Sequence, residues 1–201
     1  MNKIIILYPR LFKSYSKFQR KVEKIISNLG EVSLVYSDDY NGFIERIYKE
    51  NELIVEVELF DGSITNNITH AIIFDDGEEF VAEEERIKAM GIPLRHIKIL
   101  ITRVINISDK AEYKSVKSTP DYEYIGRGSY WGNPYSMYET GEDREEVIRK
   151  FKYDFDYEKF PKKEKKEVYK LIGKRLGCFC KPQACHGDIL ANYLNSYDDG
   201  K

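Results

Sequence analysis

Apolar residues in the first half of the chain follow two alternating rhythms. Short continuous runs such as Ile4-Ile5-Ile6-Leu7-Tyr8 and Ala71-Ile72-Ile73-Phe74 are separated by stretches where apolar positions recur every third or fourth residue. The runs predict strands, the spaced positions predict amphipathic helices, and their alternation predicts a mainly parallel α/β sheet. Lys3 to Tyr8 is the first expected strand. Ser14 to Leu29 places Phe18, Val22, Ile25, Ile26 and Leu29 on one helical face and stops at Gly30. Val32 to Tyr36 is the next strand, and Asn41 to Asn51 sets Phe43, Ile44, Ile47 and Tyr48 at helical spacing. From Leu53 to Phe60 the chain alternates, with Leu53, Val55, Val57 and Leu59 expected on one side and Glu56 and Glu58 on the other. The turn-rich Asp61 to Asn67 leads into the Ala71 run. A helix follows at Ala82 to Met90, is halted by Gly91-Ile92-Pro93, and gives way to a strand over Ile97 to Ile107.

Periodicity then lapses. The polar stretch from Ser108 to Asp121, with Ser115, Ser118, Thr119 and Pro120, reads as a linker between a domain at 1–107 and a smaller α/β domain at 122–201. In the second domain the pattern predicts a helix at Glu142 to Phe155, a lysine-rich helix, a short strand at Leu176 to Cys180 and a last helix at His186 to Asn195.

Composition narrows the classes. Of 201 residues, 42% are hydrophobic and 33% charged, which describes a globular chain rather than a disordered one. No apolar run approaches the roughly 18 residues that span a bilayer, and the N-terminus lacks a signal-peptide pattern, so the cytoplasm is the expected location. A net charge of −2 excludes a global field that would draw the chain onto nucleic acid. Lys162, Lys163, Lys165, Lys166, Lys170 and Lys174 make a local basic stretch, yet Glu164 and Glu167 interleave with them as on a solvated helix face. Three cysteines suit thiols, a metal site or a catalytic sulfur better than a disulfide framework.

The chemistry concentrates in three places. Asp75-Asp76-Gly77 ends a strand where ligands of open α/β sheets bind, but an acidic turn repels phosphate and equally suits an ordinary strand-to-helix turn. Gly126-Arg127-Gly128-Ser129-Tyr130-Trp131-Gly132-Asn133-Pro134 combines permissive backbone, a guanidinium fork, an indole face and an amide, and reads as a ligand loop built on Arg127, Ser129, Trp131 and Asn133. A structural knot with Trp131 in the core is the alternative. Cys178-Phe179-Cys180 puts two cysteines on one side of a strand end, and Cys185-His186-Gly187-Asp188 opens a helix. Three readings stay open there: a nucleophilic or redox-active Cys185 with His186 and Asp188 as catalytic partners, zinc held by Cys178, Cys180, Cys185 and His186, or packing and capping alone. Adjacent Cys185 and His186 are awkward joint ligands, so no cofactor is expected and zinc is the alternative.

Val35-Tyr36-Ser37-Asp38-Asp39-Tyr40-Asn41-Gly42, Thr69 to Gly77 and Met90-Gly91-Ile92-Pro93, in this strand order, resemble the SLOG superfamily over the first hundred residues. That Rossmann-like group includes cytokinin-activating phosphoribohydrolases and nucleotide-signal sensors. The Gly-Gly and Gly-Thr elements of its catalytic members are absent here, so the resemblance implies the fold and a nucleotide-derived ligand rather than that hydrolysis. Gly126 to Pro134, Asp143-Arg144-Glu145-Glu146-Val147-Ile148 and Gly177 to Ala191 resemble domain of unknown function 4326, found in bacteria and their phages, over the last eighty residues.

Together these readings give an expectation. The chain binds, and in one version processes, a nucleotide-derived molecule such as ADP-ribose, an NAD-related compound or a signalling nucleotide. As an enzyme it would be a hydrolase or transferase acting on a nucleotide or N-glycosidic bond. One alternative is a phage-encoded anti-defence protein that sequesters a host signal or blocks a host enzyme through a protein partner. The other is a nucleic-acid-associated protein using Lys162 to Lys174. No membrane partner is expected, and homo-oligomerisation stays open.

Overall fold

In the computed structural model, the described residues are all but 61–66, 114, 138–140 and 201. The expected turn at Asp61 to Asn67 therefore falls almost wholly outside them. The chain divides into two units, Met1–Ile99 with Ser196–Lys201, and Leu100–Asn195.

The first unit is a five-stranded parallel sheet. Its strands are β1 (Asn2–Leu7), β2 (Val32–Tyr36), β3 (Ile54–Leu59), β4 (His70–Asp75) and β5 (Leu94–Lys98), in the order β3-β2-β1-β4-β5. β1 lies at the centre because its residues are apolar on both faces: Ile5 pairs with Val35 on one side and Ala71 on the other. Ile4, Ile6 and Tyr8 meet helices α1 (Tyr15–Ile26) and α2 (Phe43–Glu50), where Phe18 stacks on Phe74 at 5.1 Å and Tyr8 on Phe43 at 5.2 Å. On the opposite face Ile5, Leu7, Ala71 and Ile73 pack with Ile87 of α3 (Val81–Ala89). Asp198 and Asp199 near the C-terminus are held to this unit by the Lys17–Asp199 and Arg20–Asp198 ion pairs, at 2.9 and 2.6 Å.

Two details depart from the sequence pattern. In β3 Ile54 is buried while Val55 and Leu59 are exposed, the reverse of the expected faces. A bulge causes this: Val32 pairs with Ile54 but Ser33 pairs with Glu56, so alternation restarts past Val55 on an edge strand. The expected strand at Ile97 to Ile107 is two strands in two sheets, β5 and β6 (Arg103–Asn106), because the apolar run continues through the turn between them.

The second unit has the sheet order β6-β9-β8-β7, with β7 (Ser118–Thr119) antiparallel to β8 (Tyr122–Tyr124), and β9 (Arg175–Cys178) parallel to both β6 and β8. Helix α4 (Arg144–Asp156), a 3-10 segment at Lys165–Leu171 and helix α5 (His186–Asn195) complete it. Ile125, Trp131, Phe151, Phe155, Leu176 and Leu190 share its core. Buried Asn195 clamps buried Thr102: Asn195 Oδ1 accepts from the Thr102 amide at 2.8 Å and Asn195 Nδ2 donates to its carbonyl at 3.0 Å. No helix among the described residues is long and apolar enough to cross a membrane.

Candidate functional site

A cleft of about 340 Å³ in the second unit gathers most of the chemistry. Its floor is the end of β9 and the start of α5. Cys178 is the last residue of β9, and Cys185 directly precedes α5. Asp188 holds that junction, its Oδ2 accepting from the Cys185 amide at 2.9 Å while Oδ1 pairs with Lys181 Nζ at 2.6 Å. Gly187 lets α5 approach the sheet, since a Cβ there would stand 2.4 Å from Ile125 Cδ1.

The three sulfurs converge. Cys178 Sγ and Cys180 Sγ are 3.3 Å apart, and the sulfurs of Cys178, Cys180 and Cys185 all lie within 4.8 Å of one another. These three cysteines are thus close enough to hold a metal ion. The His186 ring is not part of that group. Its Nε2 sits 3.0 Å from the Ile125 carbonyl, which can only accept, so Nε2 carries the proton. Burial pushes the imidazole toward its neutral form, leaving Nδ1 bare at 3.6 Å from Cys185 Sγ.

Electrostatics divide the thiols. Neighbouring Cys178 and Cys185, followed by Arg144, hold half-buried Cys180 below the usual thiol range. Cys178 and Cys185 are pushed up because they donate within the trio and are buried. Cys180 is the least buried of the three cysteines, and the sequence pointed to Cys185, which is buried at the start of α5.

Arg144 is a residue whose role the sequence left unread. Asp143 caps α4 by accepting from the Glu146 amide at 2.8 Å, which fixes Arg144 as the first helical residue. Its guanidinium donates to the Ala184 carbonyl at 3.3 Å and lines the cleft together with Cys180. A cation at a helix N-terminus opposes the macrodipole, and that mismatch was the available signal. Phe179 was also passed over; the residue is 58% exposed at the cleft wall.

The glycine loop supplies the other wall. Arg127 is exposed and lines the cleft. Asn133 lines it too, but its amide is engaged, donating to the Val147 carbonyl at 3.0 Å and accepting from the Tyr135 amide at 2.9 Å. Trp131 is 4% exposed and belongs to the core. Gly132 closes the loop so tightly that a Cβ would meet the Gly126 carbonyl oxygen at 2.5 Å. The Ser129 hydroxyl is buried with no hydrogen-bond partner among the described residues.

Asp75 and Asp76 lie in the first unit, at the end of β4. Asp75 Oδ1 accepts from the Gly77 amide at 2.8 Å, and Asp76 Oδ1 from the Glu78 and Glu79 amides at 2.9 and 3.0 Å, the geometry of a self-capped turn. The N-terminus of α2 is likewise filled, because Asp39 accepts from the Ile44 and Glu45 amides, both at 3.0 Å, and from the Tyr8 hydroxyl. In the lysine-rich stretch Lys166, Lys170 and Lys174 pair with Glu164, Glu167 and Glu123, and Lys163 lies over the Phe160 ring at 4.3 Å.

Comparison with known proteins follows these units. Residues 1–105 match the minimal SLOG domain, and residues 108–196 match a domain of unknown function, DUF4326, as the sequence resemblances implied. The chain is 41% identical over 97 residues to a protein of Enterobacteria phage T4 described as an uncharacterized 12.4 kDa protein in the nrdA-td intergenic region. That stretch is 47% of this chain and 79% of the phage protein. No solved structure matches. With a parallel sheet of order β3-β2-β1-β4-β5 on the matched N-terminal residues, the chain belongs to the minimal SLOG domain family.

Proposed function

We propose that this protein binds an anionic, nucleotide-derived small molecule, such as ADP-ribose, an NAD-related compound or a signalling nucleotide, in the cleft of its second unit. The observation that carries the reading is the pairing of Arg127 and Arg144 with the exposed Phe179 ring around about 340 Å³ of space. Guanidinium groups recognise phosphate through planar, charge-assisted hydrogen bonds, an exposed ring offers a base its stacking face, and the volume suits such a ligand. The minimal SLOG domain at residues 1–105 supports a nucleotide-related ligand class for the chain, and the choice of the second unit's cleft rests on its lining residues alone. Asn133 shapes the loop, and Trp131 supports it from the core.

Processing of the ligand, by hydrolysis or group transfer, would fall to the cysteine and histidine cluster that lines the cleft. The phage relative favours a second reading, in which a phage-encoded protein sequesters a host nucleotide signal in the host cytoplasm. One experiment serves both. The protein is purified natively, denatured, and the extract analysed by mass spectrometry. A phosphorylated nucleoside released unchanged supports sequestration, and an altered one supports processing. An extract with no nucleotide, from protein that also binds none when offered, would sink the proposal.

A further inference from the structure

We infer that Cys178, Cys180 and Cys185 together hold one zinc ion through three sulfurs, with the fourth coordination position turned to the cleft. The inference goes beyond ligand binding and does not depend on it. Among the described residues, these are the metal-ligating side chains that converge. Sulfurs placed tetrahedrally at about 2.3 Å from zinc stand about 3.8 Å apart. The observed sulfurs, 3.3 Å apart for Cys178 and Cys180 and within 4.8 Å throughout, need only small adjustments to reach that spacing.

The objection raised by the sequence was that Cys185 and His186 would have to share one ion. The geometry removes it, because the three sulfurs form the converging set by themselves and the His186 ring lies outside it. The surroundings also suit a thiolate site. The Gly187 amide donates to Cys185 Sγ at 3.4 Å, and Asp188 fixes the Cys185 backbone. Three thiolates on a divalent cation leave a net negative charge, which the Arg144 guanidinium beside Cys180 offsets. As each Zn–S bond forms, the thiol releases its proton to solvent. Soft sulfur donors select zinc or copper(I) over magnesium or calcium.

Three protein ligands distinguish this arrangement from closed four-ligand structural sites. All three cysteines line the cleft, so the remaining position opens there, where water or an anionic donor would occupy it.

The test uses the full chain, purified under reductant without added metal. Elemental analysis should find about one zinc per chain, and cobalt(II) replacing it should give intense sulfur-to-cobalt charge-transfer absorption. Azide added to the cobalt form should shift its visible bands by entering the open position. Cys180→Ser, at a half-buried loop position, should weaken zinc binding by about 100-fold while far-UV circular dichroism and Trp131 fluorescence stay unchanged. A folded wild-type chain that takes up no zinc on titration, or copper or iron in its place, would overturn the site. Unaltered zinc affinity in Cys180→Ser would remove that ligand, and azide-insensitive bands would overturn the open position. None of these readouts involves a nucleotide.

Discussion

Replacing Trp131 with alanine separates the two roles its sequence context offered, because a core wedge and a ligand platform fail in different assays. The side chain is all but 4% buried, among Phe151, Phe155 and Leu190. An indole removes roughly 150–250 Å² from water, which at about 25 cal/mol/Å² gives an upper bound of about 4–6 kcal/mol. Measured tryptophan-to-alanine losses of about 3–5 kcal/mol bring the expectation to about 4 kcal/mol. With a urea m-value of about 1.5 kcal/mol/M for a unit this size, the midpoint of the second unit should fall by about 2.5 M. Far-UV circular dichroism reads this, since Trp131 is the only tryptophan and disappears with the substitution. Trp131→Phe should recover more than half the loss. A midpoint shift under about 0.5 M in Trp131→Ala, with ADP-ribose binding lost, would refute the core assignment.

Three further outcomes follow from the packing. Asn195→Ala leaves the buried amide and carbonyl of Thr102 without partners and should destabilise the second unit by about 2–4 kcal/mol, read by Trp131 fluorescence in urea; a loss below about 0.5 kcal/mol would mean that solvent replaces the clamp. Asp39→Ala uncaps α2 and leaves the Tyr8 hydroxyl proton without its acceptor, so the first unit should lose about 1–2 kcal/mol by thermal denaturation, and an unchanged transition would contradict that role. Limited proteolysis should cut first between Ser108 and Asp121, where Ser118 to Asp121 are exposed; first cuts within β3 or β5 would argue against it.

The elements legible in the sequence were those where one periodicity held throughout. β1, α1, β2 and α5 are such elements; Cys178 and Cys180 do converge as expected, but β9 ends at Cys178, so the loop beyond it and not strand alternation brings Cys180 there. The faces of β3 were misread because a bulge at Val55 resets the alternation, and nothing in a local window records how a neighbouring strand pairs. The run from Ile97 to Ile107 hid a sheet change for a similar reason: Ile99 and Ile101 stay buried in the turn, so apolar spacing did not lapse where the strand did. At the site, residue types gave the cysteines, Arg127 and Asn133. That Arg144 joins the cysteines in one cleft could not be read from a local window, because it lies far from them in the chain.

Equilibrium titration of ADP-ribose into the full chain and into Arg144→Ala tests the proposed cleft most directly. Loss of one charged hydrogen bond, worth about 1.5–3 kcal/mol, should weaken binding by roughly 10–100-fold while the urea midpoint stays unchanged. Asp75→Asn, altering the turn in the first unit, should leave the affinity as it was. Equal affinity in wild type and Arg144→Ala, or a loss in Asp75→Asn instead, would contradict the placement of the ligand between Arg127, Arg144 and Phe179.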